Sequence, residues 1–470
     1  MLFNSLDYLL FLPLIVVAFY AIPHKFRWVL LLGGSYYFYM CWRAEFVLLI
    51  ILSTLVDYWC ALKMSEKIRK IDKKPFLFLS IFVNLGLLFT YKYYDFFAFN
   101  VNLVFDQFNL LASLPYFDLL LPVGISFYTF QTLSYSIDVY NGRAQAEKHL
   151  GYFALYVSYF PQLVAGPIER ANHLIPQLRR RPKLTKDDVR YAVNKILLGY
   201  VKKVVVADTL ALYVNQMFGN VSGGNGTQLY LASFLFGIQL FCDFSGYTDI
   251  AMGSARLMGV KLMENFRKPY WTMNVAEYWS RWHISLTTWI RDYVFIPLIK
   301  SAGKAGKSPL FYVFATVLVM ATIGFWHGAK WTFIFFGVYQ SFFLLTQRML
   351  QPIPFFKQIK RYSIVRFGYK LFNVNIMIFG AVFFRSQSMT DVLEIYTKIF
   401  TEFTLNPFEI LVAYKFDLLA SIILCFLLLG TTYFNEELRF KRNWIYISAM
   451  IGLILLFGQD TKNQFIYFQF

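Results

Sequence analysis

Apolar residues run through this chain in long blocks separated by short polar or basic stretches. A membrane-spanning helix needs about 20 mostly apolar residues. Such blocks fall near 7–22, 28–42, 45–62, 76–92, 118–140, 151–166, 193–216, 229–250, 309–326, 330–349, 369–386, 413–433 and 443–459. Several are short or interrupted by polar residues, so the pattern predicts about 10–13 spans. No internal repeat is visible, which argues against an inverted-repeat transporter. The stretch 256–300 differs from the rest. It intersperses charges with Trp and Tyr and offers no clean apolar run, which predicts interfacial helices that fold inward against the bundle.

Composition agrees with this reading. Of 470 residues, 58% are hydrophobic and 15% charged, where a soluble domain carries about 45–50% and about 25%. Too few polar residues remain to coat three soluble domains of ordinary size, and disordered, collagen-like and disulfide-scaffold classes are excluded as well. The chain reads as all-α and polytopic. Its 45 Lys+Arg against 27 Asp+Glu leave +18, but the cations sit in short loops, as topology requires, rather than along a nucleic-acid-binding stripe. Cys41, Cys60, Cys242 and Cys425 lie in or beside apolar segments without metal or disulfide spacing, and read as small buried hydrophobes.

Lys and Arg clusters set the orientation. The loops 63–74 and 169–188 and the run from Arg348 through Lys370 are expected in the cytoplasm. Counting spans then puts the N-terminus, the segment 387–412 and the C-terminal tail QDTKNQFIYFQF outside, and RFKR (439–442) inside. Two full crossings at 118–140 and 151–166 would carry the RRR loop to the wrong face, so one of them is expected to be only partly inserted. The N-terminus lacks a basic n-region and places Asp7 before its apolar core, so it is expected to stay as a helix rather than be cleaved. The whole is expected to form one membrane domain, with N-terminal helices (1–168), a basic loop (169–190), a core (193–346) and C-terminal helices with the tail (348–470).

Chemistry is confined to few residues. His24, His149 and His173 stand in loops or turns and read as solvated or structural. His283 lies in EYWSRWHISLTTW and His327 in ATIGFWHGAKW, bracketed by Gly324 and Gly328. An ionisable side chain at membrane depth is costly and tends to be functional. An imidazole there suits a general base because it titrates near neutrality; bracing two helices is the plainer alternative. Asp243 and Asp249 enter an apolar run in QLFCDFSGYTDIAMG. They would line a chamber, orienting a histidine or holding Arg281, or form a structural ion pair. No G-x-S-x-G, H-E-x-x-H or Walker A motif occurs, and no metal site is expected. The glycines of GGNG (223–226) read as a flexible loop.

The motifs PVGISFYTFQTLSYSIDVY, YFPQLVAGPIERA, QLFCDFSGYTDIAMG, YWSRWHISLTTWIRDYVFIPL, GFWHGAKW and FIYFQF, taken in this order, resemble the membrane-bound O-acyltransferase (MBOAT) family. Within it they are most similar to the bacterial membrane component of alginate and related polysaccharide O-acetylation. The resemblance implies a helical bundle around a central chamber, with a tunnel from the cytoplasm and a funnel outside. It maps the catalytic histidine onto His327 and a second onto His283; Trp326, Trp282, Asp243, Asp249 and Arg281 are read from the residues as chamber-lining or supporting groups. It implies an acyl thioester such as acetyl-CoA as donor substrate, no tightly bound cofactor, and a secreted or tethered SGNH-type transferase as partner in a bacterial cytoplasmic membrane. Neither nucleic acid nor metal is implied. Alginate-type polymer and peptidoglycan are both open as final acceptor. D-alanyl transfer to teichoic acid and a non-enzymatic transporter or flippase are the alternatives. Tyr467 in the tail is a candidate temporary acyl carrier, or part of an aromatic anchor.

Overall fold

Wherever the chain is apolar for several turns, it is helical. In a computed structural model, residues 1–110, 112–164, 166–404, 443–458 and 465–466 are described, and no strand occurs among them. Among the described residues, five helices are long and apolar enough to cross a bilayer: Ala44–Ser65, Lys70–Gln107, Gly226–Leu257, Pro309–His327 and Ser363–Arg385. Leu6–Ala21 is a shorter apolar helix. The other expected spans are shorter or carry polar residues, and 413–433 lies outside the described residues, as do RFKR, Cys425 and Tyr467. The protein is thus an all-α multi-pass membrane protein. Leu150–Ser158 has nine residues, about 14 Å at helical rise, well short of a bilayer core of about 30 Å.

Packing divides the chain into two compact units, Met1–Val193 with Ile250–Met263, and Asn194–Asp249 with Glu264–Phe470. In the first, the helix Ile125–Tyr140 is buried on every face and packs against Val47–Ser65 and Lys70–Leu88. Gly124 opens it at φ 78°, where a Cβ would strike the Leu163 carbonyl, so only glycine suits the turn. A polar group joins the three helices. Asp57 accepts hydrogen bonds from Ser80 Oγ at 2.5 Å and from Asn84 Nδ2 at 2.9 Å, and Asn84 Oδ1 accepts from Ser53 and Thr132. Elsewhere in this unit, buried Glu169 accepts the Met263 N–H at 2.6 Å and meets His173 Nδ1 at 2.6 Å. The basic loop therefore contains an ordered helix, Ala171–Arg179. His149 caps Leu150–Ser158 through Nδ1, and His24 begins a short 3-10 turn.

The second unit is built on the hairpin of Pro309–His327 and Trp331–Leu350, with Ser363–Arg385 packed on the latter. Asn443–Phe457 packs on the π-helical turn Val201–Ala207, where Met450 meets Leu198, Val201 and Val205. The glycine loop, expected to be flexible, is instead pinned. Lys398 Nζ donates to the carbonyls of Val221, Ser222 and Gly224 at 3.2, 2.7 and 3.0 Å, because an ammonium satisfies three carbonyls at once.

Candidate active site

His327 is the last residue of its helix, and the hairpin that carries it is drawn tight by glycines. A Cβ at Gly324 would collide with the Phe333 carbonyl, and one at Gly337 with the Met320 carbonyl. His327 is 3% exposed. It lies edge-on to Trp326 and Phe384, with centroids 5.0 and 5.1 Å away. It lines a cavity of about 30 Å³ together with Tyr278, Trp279, Trp282, Gln340 and Met377. That volume admits a water or two.

His283 is fully buried and takes the left-handed conformation at φ 42°, ψ 54°, which is rare for a side chain of its size. Asn265 holds the backbone there. Its carbonyl accepts the Ile284 N–H at 3.0 Å, and its Oδ1 accepts from Ser285 Oγ at 2.6 Å. The imidazole lies edge-on to Phe244 at 4.7 Å and 6.1 Å from Trp326. Burial pushes it down to about 3, so it is neutral near pH 7. Trp326 thus contacts both imidazoles, His283 across the fold and His327 as its neighbour in sequence. Trp282 stacks on Tyr278, with ring centroids at 5.5 Å, and shares the cavity with His327. Within the segment 256–300, Tyr278, Trp279, Trp282, His283 and Trp289 are buried, while Lys261, Glu264, Arg267, Trp271 and Arg291 are exposed, so one face of it is turned inward.

The carboxylates take other partners than expected. Asp249 lies 2.6 Å from both Lys195 and Lys202, and Asp243 lies 2.7 Å from Lys203, which also reaches Asp208 at 2.9 Å. Arg281 pairs with Glu277 at 2.6 Å, one helical turn away. The expectation that Asp243 or Asp249 holds Arg281 is therefore corrected: their cations are lysines. Physically, a carboxylate inside an apolar helix needs a cation at its own depth, and the lysines of 195–203 supply it. A signal for them is in the sequence, since Lys202-Lys203 interrupts an otherwise apolar block. Gln340, fully buried beside the cavity, was not marked by the pattern.

The C-terminal segment touches the same unit. Asp243 accepts the Ile466 N–H at 2.7 Å. Phe465 is fully buried, with ring centroids 4.6 Å from Tyr247 and 5.4 Å from Phe244. Phe244 is also the ring against which His283 stands. A run of aromatic contacts therefore leads from Phe465 through Phe244, His283 and Trp326 to His327.

Comparison with known proteins supplies the remaining findings. The model of the membrane-bound O-acyltransferase family matches residues 37–390. The chain is 35% identical over 404 residues, 85% of its own length and 78% of the relative's, to the probable alginate O-acetylase AlgI of Azotobacter vinelandii. It is 30% identical over 412 residues, 82% of its length and 76% of the relative's, to the peptidoglycan O-acetyltransferase of Helicobacter pylori. It is 28% identical to the teichoic acid D-alanyltransferase of Bacillus subtilis over 227 residues, 47% of its own length and 57% of the relative's.

Proposed function

The chain belongs to the membrane-bound O-acyltransferase family and is an acyltransferase; on that premise we propose that it moves an acetyl group from a cytoplasmic thioester across the bacterial cytoplasmic membrane for O-acetylation of an envelope or exported polysaccharide. The observation that carries the reading is the His327 imidazole, buried and lining a cavity at the end of a glycine-tightened hairpin. A group so placed is shielded from bulk water yet open to a bound reactant. His327 takes the proton from an attacking hydroxyl, whose oxygen bonds to the acyl carbon. The C–S bond breaks, and the thiolate leaves with the proton returned by the imidazolium. Such base assistance is typically worth about 10²–10⁴ in rate, and a cavity with room for little water limits thioester hydrolysis. His283, neutral and held in strained backbone, positions rather than abstracts.

Acetyl-CoA cannot cross a bilayer and the outer face lacks a thioester supply, so the reaction must be fed from inside. The alginate and peptidoglycan O-acetylases among the relatives support acetyl as cargo and a polysaccharide as destination. The D-alanyltransferase likeness covers less than half the chain. A transporter without chemistry is set aside by family membership. An extracytoplasmic SGNH-type transferase completes the delivery, because a chamber within the membrane cannot itself reach a polymer. Tyr467 follows Ile466 directly, and the anchoring of Ile466 on Asp243 supports a role for the Tyr467 phenol as temporary acyl carrier. Thioester exchange onto it would leave an aryl ester and free thiol.

The test is a deletion strain and purified membranes. Loss of base-labile acetate from one envelope glycan, restored by the wild-type chain and not by His327→Ala, is the expected result. Membranes charged with labelled acetyl-CoA should release thiol, and His327→Ala should do so about 10²–10⁴ more slowly. Full activity in His327→Ala overturns the reading. Label accepted from D-alanyl thioester but not from acetyl thioester changes the cargo. An acetyl adduct on Tyr467 with activity lost in Tyr467→Phe supports the carrier, and full activity in that variant removes it.

A further inference from the structure

Two side chains of the cavity are unspent. Gln340 is fully buried and Trp279 is 7% exposed. Both line the cavity beside His327. The carbonyl oxygen Oε1 of Gln340 and the indole N–H of Trp279 have no hydrogen-bond partner among the described residues. The Gln340 amide nitrogen reaches only the Met377 sulfur, at 3.9 Å, a weak acceptor. A buried polar atom without a partner is costly, and here one acceptor and one donor of this kind belong to residues that line the same small space. Gly380 packs on the Gln340 carboxamide, where a Cβ would come within 2.8 Å of Nε2, so the fold leaves room for that group.

We propose that Gln340 and Trp279 form a clamp for a secondary amide, which gives its N–H to Gln340 Oε1 and accepts the Trp279 indole N–H. This rests on the thioester-donor reading above and sharpens it. An amide both donates and accepts, matching the two orphaned atoms. A thioester whose thiol is a pantetheine arm carries an amide two methylenes from sulfur. With its amide clamped, the reacting carbonyl is tethered a few bonds away, at His327. Uncharged partners suit the site, because Gln340 and Trp279 offer no charge to repay a bound ion's desolvation. In the structure the cavity has only about 30 Å³, room for water rather than an amide. Met377, whose thioether is flexible, and the neighbouring rings yield as the arm enters. The clamp thus selects pantetheine thioesters over thioesters of simple alkyl thiols.

The experiment compares two donors on membranes that carry the chain, where the acceptor is present, with thiol release above the deletion-strain background as the readout. One is S-acetyl-N-acetylcysteamine, and the other is the same molecule with an ester oxygen in place of the amide N–H. Wild type is expected to favour the amide by about tenfold or more in kcat/KM, the factor for a buried acceptor left unmet. Gln340→Met, which keeps the volume, should bring that ratio close to one. Gly380→Ala, which crowds the Gln340 carboxamide without altering its chemistry, should lower it too. Trp279→Phe should weaken KM for both donors, since both retain the carbonyl. Equal turnover of the two donors by wild type overturns the clamp and leaves the donor reading standing. A preference unchanged in Gln340→Met does the same. Turnover of neither thioester, by enzyme that acetylates from another donor, overturns the donor reading and the clamp together. The wild-type comparison needs no variant, so a misfolded Gln340→Met does not spare the proposal.

Discussion

At the scale of single residues, charge inside the second unit decides stability before it decides chemistry. Lys203 is 2% exposed and bridges Asp208 and Asp243. Lys203→Met strands two carboxylates and should cost about 3–5 kcal/mol, the usual penalty for breaking a buried pair. Thermal unfolding in detergent would register it. Neutralising the carboxylates in the same chain, with Asp208→Asn and Asp243→Asn, should recover most of the loss, because no charge is then left unpaired. A drop that persists in the triple variant would mean that Lys203 acts through something other than pairing. His173 offers a pH test in the first unit. Its hydrogen bond to Glu169 raises the imidazole above its ordinary value against some desolvation. A raised folded value makes the protonated form the stabilising one. That contribution is complete below the unfolded value of about 6.5 and disappears as pH climbs through the folded value. The melting temperature of wild type should therefore fall across that window relative to His173→Gln, and parallel curves would refute it. His327 was legible in the sequence because histidine is scarce and costly at membrane depth, and His283 because it stands among tryptophans in the interfacial segment. Gln340 and Trp279 were not, since a neutral amide inside an apolar run and one indole among several in an aromatic segment look like ordinary packing until a cavity is seen beside them.

At the scale of elements, the site depends on how closely two helices approach. Gly324 faces the Phe333 carbonyl and Gly337 the Met320 carbonyl, and backbone cannot rotate aside as a side chain can. Gly337→Ala should therefore separate the hairpin, cost about 1–3 kcal/mol by overpacking, and displace His327 at its end. A shift of about 1 Å can cost about 10² in rate, so activity should fall further than stability alone accounts for. Gly368→Ala is the control, with open space around its position and a helix that alanine favours. It should be neutral or slightly stabilising with activity intact. Unaltered activity in Gly337→Ala would show that the approach is not needed to hold His327. The glycines around His327 were visible in the sequence as a bracket, and the structure makes them a helix contact. The lysine partners of Asp243 and Asp249 were not legible in the same way. They come from an element some 40–54 residues earlier in the chain, and a π-helical turn at Val201–Ala207 resets which face of that element carries them. Asp57 carries the same signal as Asp243, a carboxylate in an apolar run, and its shell of Ser80, Asn84 and Ser136 comes from two other helices.

At the scale of the whole molecule, the sequence makes class and family plain because both rest on sums: apolar excess, basic loops, and the order of motifs. The number of crossings is harder, because a sum over a window cannot tell a short buried helix from a spanning one. Leu150–Ser158 illustrates this, apolar throughout yet nine residues long. Its shortness bears on a topological question that a labelling experiment decides. If 118–140 and 151–166 both crossed, the loop bearing Arg180 would face outward, against a rule that places basic loops in the cytoplasm. If one is only partly inserted, Arg180 stays inside together with Lys67. Both residues are exposed and suit substitution in a background without the four native cysteines. A membrane-impermeant maleimide should then label Lys67→Cys and Arg180→Cys only in inverted vesicles, and Glu402→Cys only in right-side-out cells. Labelling of Arg180→Cys from outside would break the link between basic loops and orientation. With it would go the count that places the segment 387–412 and the C-terminal tail outside.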